Sequence, residues 1–302
     1  MTESTSAPQH ATRPHRASIG LADGEVISVA HLAGDQVVMR IACPVVAAQA
    51  RPGSFVHLRC APELAMRRPM SIMRAAPAEG WFDMLFKVHG HGSALLAARR
   101  PGEAVSVLGP IGRPFRLAGY RRRPLLIGGG VGIPPMIFLA EHLRAQARDA
   151  QPLVLMGSEV PFPFTARPSA IMVAGLDPAA IAAMPLLDDW GIASRLASTQ
   201  GYAGCFDGFV TELARAWITA SGTPREDIEI FACGPTPMLR AVQALAAEYA
   251  LPCEISLEEY MACAVGGCAG CVVRIETETG PAMKRVCVDG PVFDAARVVF
   301  DA

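Results

Sequence analysis

Between about residues 18 and 117, apolar and polar residues alternate in short runs separated by turn formers. The runs are GEVISVAHLAG, QVVMRIAC, GSFVHLRC, WFDMLFKV and EAVSVLGP. A period of two places every second side chain on one face, so each run predicts a half-buried strand, and their spacing predicts a small barrel or sandwich. From about Tyr120 the rhythm changes. RPLLIGGGVGIPPMIFLAEHLRAQ reads as a strand, a glycine loop and a helix. On that helix Met136, Leu139, Ala140 and Leu143 recur at i, i+3, i+4 and i+7, which makes one apolar stripe. PLVLMGSE predicts a second buried strand, and DIEIFACGPTPMLRAVQALAAEYA repeats the strand–turn–helix order. Strands alternating with helices imply a parallel sheet covered on both faces. After Leu251 the chain becomes short and cysteine-rich. The expected fold class is therefore multidomain. A tail (1–17) precedes a β-barrel domain (18–117), an α/β domain (118–250) and a small C-terminal cysteine module (251–302).

Composition changes this picture little. The 302 residues are 51% hydrophobic and 18% charged, enough apolar material for real cores. A net charge of −1 gives no sign of a nucleic-acid or acidic-membrane partner. MTESTSAPQHATRPHRAS has no apolar core of a secretory signal and reads as a disordered tail. The longest uncharged run, Pro124–Ala140, is broken by glycines and prolines and is short for a bilayer. A cytoplasmic location is expected, where nine cysteines point to metal or redox use rather than disulfides.

Four of those cysteines carry chemistry. Cys263-x4-Cys268-x2-Cys271, followed by Cys287, is the plant-type [2Fe–2S] spacing. Two irons and their bridging sulfides need four thiolates from a compact shell, three of them from one wrapping loop. Gly266, Gly267 and Gly270 let that loop close and aim amide N–H groups at sulfur. A structural zinc site is the alternative, but it would favour two C-x2-C pairs, and only Cys268 and Cys271 make one. Cys43, Cys60, Cys205 and Cys253 are isolated and read as small buried apolar residues.

In the barrel, Arg68-Pro69-Met70-Ser71-Ile72 resembles the flavin-binding strand of the ferredoxin-reductase family. The resemblance implies that Arg68 pairs with a flavin phosphate and that the strand near Ser71 meets the isoalloxazine ring. Arginine suits phosphate because its planar fork donates two hydrogen bonds at once. Gly92-Ser93 stands at the mouth of a predicted helix, a setting for pyrophosphate. The family resemblance also makes Leu85, Phe86 and Lys87 flavin-lining. LGPIGRPF matches the family's Gly-Pro-x-Gly turn at Gly109, Pro110 and Gly112, and His91 reads as an exposed loop histidine.

In the α/β region, Gly128, Gly129, Gly130, Val131 and Gly132 follow a strand and let backbone approach a pyrophosphate, with Pro134 opening the next helix. Ile133 occupies the place of the last glycine in the full dinucleotide fingerprint. Cys233-Gly234-Pro235 resembles the family's Cys-Gly-Pro turn beside the nicotinamide. Glu159 follows the second strand, where a carboxylate can bind ribose hydroxyls and repel a 2′-phosphate, so NAD is expected over NADP.

A nicotinamide moves electrons in pairs as hydride, an iron–sulfur cluster moves them singly, and flavin does both. Three such modules in one chain describe an electron converter. SLEEYMACAVGGCAGCVV with RVCVDGPVF resembles the electron-transfer subunits of the dihydroorotate dehydrogenase B complexes, over essentially all of the chain after the tail. The resemblance implies FAD, a [2Fe–2S] cluster and NAD as cofactors. It also implies an FMN-containing dihydroorotate dehydrogenase catalytic subunit as partner, two of each, in pyrimidine synthesis. An NAD(P)H:ferredoxin or hydrogenase-linked reductase subunit is the alternative. A non-enzymatic redox sensor is a third reading, which the nicotinamide motifs oppose. Two positions depart from the family pattern: Ala264 stands where glycine is usual, and alanine fits there if φ is negative, and Gln200 stands where an acidic residue is usual.

Overall fold

The computed structural model describes residues 17–300. Apart from Ala17, the tail expected over 1–17 lies outside the described residues. Strands β1 (Gly20–Leu32), β2 (Gln36–Ala42), β3 (Phe55–Leu58), β4 (Arg68–Ala76), β5 (Trp81–Lys87) and β6 (Ala104–Ile111) close into a barrel in the order β1-β2-β5-β4-β3-β6. All its pairings are antiparallel. Val37, Met39, Ile41, Val56, Leu58, Phe82 and Met84 are fully buried in one apolar cluster of the barrel. Closure removes the sheet edges, which is how short strands of this kind avoid pairing with other chains. Two short helices, α1 (Pro44–Gln49) between β2 and β3 and α2 (His91–Ala97) between β5 and β6, connect its strands.

The chain then enters a second sheet. Its elements in order are β7 (Arg123–Gly129), α3 (Ile133–Gln146), β8 (Leu153–Gly157), a two-stranded excursion of β9 (Arg167–Pro168) and β10 (Ala182–Ala183), α4 (Pro185–Asp189), β11 (Ala193–Ser198), β12 (Phe206–Asp207), α5 (Val210–Ala220), β13 (Ile228–Cys233), α6 (Thr236–Glu248) and β14 (Cys253–Ser256). The C-terminal part adds β15 (Val272–Thr277), β16 (Gly280–Arg285), α7 (Val286–Asp289), β17 (Val292–Asp294) and β18 (Val298–Val299). The main sheet runs β12-β11-β8-β7-β13-β14-β17, parallel except for the last pair. β14 and β17 both come from beyond residue 251, so the cysteine module is stitched into this sheet, while β15, β16 and β18 form its own three-stranded sheet.

Two details exceed the pattern read from sequence. Met136, Leu139, Ala140 and Leu143 are buried as the stripe requires, but Ile133, Ile137 and Phe138 are buried too. α3 is covered on several sides because it lies between the sheet and the barrel: Phe138 joins the barrel's core cluster, and Glu141 accepts both Nε and Nη2 of Arg74 on β4. The Gly-Pro-x-Gly turn leaving the barrel meets the C-terminal DGPVF run. Gly112 has φ +98, and a Cβ there would lie 2.4 Å from Pro291 Cδ, so only glycine fits.

Candidate functional site

The order of the main sheet reverses at β7: β8 lies on one side and β13 on the other. In open α/β sheets, ligands bind outside the carboxyl ends of the strands at such a switch point. Both glycine-containing turns sit there. Gly128 and Gly129 end β7, and Gly130–Gly132 form a single 3-10 turn into α3. Cys233 ends β13, and Gly234-Pro235 turns into α6. The turns touch: a Cβ on Gly132 would lie 2.2 Å from the carbonyl oxygen of Cys233. Burial, and secondarily the charge of Glu258, push the Cys233 thiol well above its ordinary pKa, against a hydrogen bond from Ser256. It is an uncharged, compact group at the crevice floor. Glu159 is exposed just beyond β8, and Gln200 is exposed beyond β11, where its backbone N–H donates to Ser198 Oγ.

A cleft of about 1150 Å³ opens between the barrel and this crevice. Arg68, Pro69, Met70 and Ser71 of β4, and Leu85, Phe86 and Lys87 of β5, line its barrel wall. Ser93 is at its edge, with its hydroxyl accepting from the His89 amide and donating to Gly90 O, so the side chain shapes the turn. Gly92 does not line the cleft but lies under Arg68, whose Nε would sit 3.1 Å from a Cβ there. His91 begins α2 and is exposed, as expected. Val131 and Pro235 bring the nicotinamide-type turns to the opposite wall. The third wall was not foreseen. Ser256, Leu257, Glu258, Tyr260, Met261 and Ala262, with Gly270 and Pro291, line the cleft from the cysteine module. These residues fall largely in SLEEYMA, an acidic-aromatic run leading from the end of β14 toward Cys263 that carries no periodicity of its own. A larger groove of about 1420 Å³ between α6 and the β15–β16 hairpin holds none of the expected cofactor residues.

The cysteine loop starts where that wall ends. Cys271 and Cys287 are buried, Cys263 is half-buried and Cys268 is exposed. The Cys268 amide donates to Cys263 Sγ at 3.4 Å, and the Gly270 amide donates to Cys268 Sγ at 3.4 Å. Burial alone would raise the Cys263 thiol. The backbone N–H groups of Cys268 and Val265, the Cys268 thiol and the Gly267 N–H outweigh it and bring Cys263 to about 6. Cys287 goes the other way, to about 12, through burial and then through the adjoining Cys271 sulfur, against the Gly266 N–H. Among the described residues no three such side chains converge as a single-ion site. Cys263 is in contact with Cys268, and Cys287 feels both Cys271 and Cys263, so the four sulfurs are gathered around one loop. Four thiolates around one wrapping loop fit a two-iron cluster.

Two expectations are corrected. Ala264 has φ +56, not the negative value that would suit alanine, and Ala269 has φ +53. The loop curls tightly enough to demand left-handed residues at both positions, whatever their side chain. Cys205 is half-buried, whereas Cys43, Cys60 and Cys253 are buried as read.

Together the barrel, the switch-point crevice and the cysteine loop define a ferredoxin-reductase-like flavoprotein with an appended iron–sulfur module. Solved structures agree on the fold. The one titled for the NADH-dependent reduced ferredoxin-NADP oxidoreductase has TM-score 0.73 at 24% identity, covering 93% of this chain and 91% of that one. A ferredoxin NADP+ reductase from Neisseria gonorrhoeae, with bound FAD and NADP, has TM-score 0.56 at 15% identity, covering 76% and 91%. The family model described as the iron-sulfur cluster binding domain of dihydroorotate dehydrogenase B matches residues 258–299. Dihydroorotate dehydrogenase B (NAD(+)), electron transfer subunit, of Desulforamulus reducens is 31% identical over 290 residues, covering 92% of this chain and 98% of that protein. The Bacillus caldolyticus protein of the same name is 36% identical, covering 82% and 87%. The chain belongs to the family of dihydroorotate dehydrogenase B electron transfer subunits.

Proposed function

We propose that this chain carries electrons from an FMN-containing dihydroorotate dehydrogenase subunit, through a [2Fe–2S] cluster and FAD, to NAD⁺ in pyrimidine (UMP) biosynthesis. One observation supports this above the rest: a single cleft is walled by the flavin-type strands, the nicotinamide-type turns and the segment leading into the cluster cysteines. When bound there, flavin supplies the change from one-electron to two-electron transfer. The chain's own residues supply position. Arg68, laid across Gly92, would pair with the flavin phosphate, and β4 and β5 would hold the ring between them. Gly128–Gly132 would cradle the dinucleotide pyrophosphate, Cys233-Gly234-Pro235 would seat the nicotinamide, and Glu159 would favour a free 2′-hydroxyl. Cys263, Cys268, Cys271 and Cys287 would hold the cluster, with the exposed Cys268 side open to the partner.

No helix among the described residues is long and apolar enough to cross a membrane. A cytoplasmic location accords with use of NAD and with an exposed cluster thiol.

The purified protein should contain one FAD and one [2Fe–2S] cluster per chain. Alone it should not oxidise dihydroorotate. Mixed with the FMN dehydrogenase subunit it should form NADH from dihydroorotate and NAD⁺, and its KM for NADH should be below that for NADPH. Zinc in place of iron, or coupling to a ferredoxin or hydrogenase but not to the dehydrogenase, would displace the proposal.

A further inference from the structure

Four thiolates gathered around two irons concentrate negative charge, and each electron that passes adds to it. A fixed positive charge held beside the sulfurs makes that electron easier to accept. We propose that Arg285 is such a charge: its guanidinium, fastened to the cysteine loop, raises the reduction potential of the iron–sulfur centre, a role that rests on the four cysteines holding a [2Fe–2S] cluster.

The placement ties both ends of the cysteine set together. Arg285 ends β16, two residues before Cys287. Its Nη1 donates to the carbonyl of Gly266 at 2.9 Å, in the turn between Cys263 and Cys268. The N–H of the same Gly266 meets the Cys287 sulfur. One residue of the loop thus carries Arg285 on its carbonyl and a cluster cysteine on its amide. The fit is close: a Cβ on Gly266 would lie 2.6 Å from Val288 Cγ2 and 3.4 Å from Arg285 Nη1. The guanidinium is also near enough to the buried Cys287 and Cys271 for their charge to stabilise it, after the larger effect of Asp289.

Asp289 fixes the arginine in this place. Its Oδ2 accepts from Arg285 Nε at 3.1 Å and from the Arg285 backbone N–H at 3.0 Å. The Asp289 side chain is only 9% exposed and that of Arg285 31%, so salt screens these charges less than surface ones. The other cations of the cysteine module point to other work. Arg274 pairs with Glu276 along β15, and Lys284 and Arg297 line the groove beside α6. A single electron enters from the dehydrogenase subunit and leaves for FAD, with no bond made or broken at sulfur. The potential at that stop decides how readily it is accepted and released, and Arg285 and Asp289 act on it with opposite signs.

An equilibrium redox titration followed by electron paramagnetic resonance of the reduced cluster reads this without turnover. In the full chain carrying FAD and cluster, Arg285→Gln keeps a donor for Gly266 but no charge. It should lower the affinity for the electron about tenfold, a potential about 59 mV lower. Asp289→Asn keeps an acceptor for Arg285 and removes the opposing charge, and it should raise the potential by a similar amount. Arg285→Lys should stay near the unmodified chain, and the flavin potential should not move in any variant. An ion pair that only braces the loop would speed cluster loss in these variants without moving the potential in opposite directions. Unchanged potentials at full iron content, or shifts of the same sign in Arg285→Gln and Asp289→Asn, would overturn the assignment. If Arg285→Gln loses its iron, Asp289→Asn decides alone: a raised potential supports the role, and an unchanged or lowered one rejects it. An unmodified chain without iron, or without the resonance of a reduced [2Fe–2S] centre, would instead reject the cluster site itself.

Discussion

Ala264 and Ala269 show how one backbone requirement has different consequences at two positions. Each is left-handed, which costs an L-residue with a Cβ roughly 1–2 kcal/mol, and glycine would relieve that cost. Ala269 is exposed, so Ala269→Gly removes strain and loses no packing. After the greater freedom of glycine in the unfolded chain is subtracted, it should stabilise the cluster loop by up to about 1 kcal/mol. Ala264 is buried against the main core, and its methyl is worth about 0.8 kcal/mol there, so Ala264→Gly should come out near zero. The rate of cluster loss to a chelator, measured side by side, checks the difference. His57 on β3 gives the pH-dependent counterpart. Its ring is 1% exposed, and burial followed by the Arg67 charge lowers its pKa to about 4, against weaker backbone contacts with Arg67 and Met261. The unfolded chain, near 6.5, therefore binds the proton more readily. Stability from this group is complete above about pH 6.5 and is lost as pH falls toward 4. At pH 5 the loss is about 2 kcal/mol, so the urea midpoint of the protein should fall between pH 7 and 5, and His57→Leu should flatten that fall.

At the scale of elements, what could be read in advance was what ligand chemistry or periodicity dictates. Alternation in β1, β2, β3, β5 and β6 marked a barrel or sandwich, with β4 noticed only through its Arg-Pro-x-Ser run, and the glycines after β7 marked the turn into α3, because those patterns are set locally. What could not be read was set by the fold as a whole. The apolar surround of α3 comes from its place between barrel and sheet, and β14 and β17 join the main sheet from beyond the apparent domain edge. Residues 256–262 enter the cleft beside the barrel because β14 ends beside Cys233, a register that no local signal announces. The contact of the β7 and β13 turns is of the same kind. Gly132 has an ordinary φ of −84°, so its need for glycine comes only from the Cys233 carbonyl pressed against it. Gly132→Ala must push the turns apart, at a cost of about 3 kcal/mol or more. The expected result is at least a tenfold rise, of the order of 1.4 kcal/mol or more, in the KM for NADH. FAD content and dithionite-driven flavin reduction should stay as they were, since the barrel wall is untouched. Stopped-flow reduction by the two reductants tests this directly.

For the whole molecule, the remaining question is where a second subunit reaches the cluster. The barrel and main sheet bury the deep sides of the cysteine module, through Cys271 and Cys287, and leave Cys268 outermost. The same module exposes Tyr260 at 95%, Val265 at 49% and Met283 at 61%. Large apolar side chains exposed around a redox centre suit a lasting interface with a dry middle, and a net charge of −1 gives no strong field to steer or repel a partner. Val265 lies between the first two cluster cysteines and donates its amide toward Cys263, so its side chain points outward while its backbone serves the loop. Val265→Glu should then leave the cluster in place and put an unpaired carboxylate into the interface. Losing one buried contact and desolvating that charge should weaken association with the dehydrogenase subunit by about 2–3 kcal/mol, roughly a hundredfold in Kd. Dihydroorotate-driven NADH formation should fall in proportion at limiting partner concentration and recover at high concentration, while NADH oxidation by an artificial acceptor stays at the level of the unmodified chain. Val45, as exposed as Val265 but on the helix between β2 and β3, is the control: Val45→Glu should change neither quantity. Equal loss of coupling in both variants would place the docking face elsewhere.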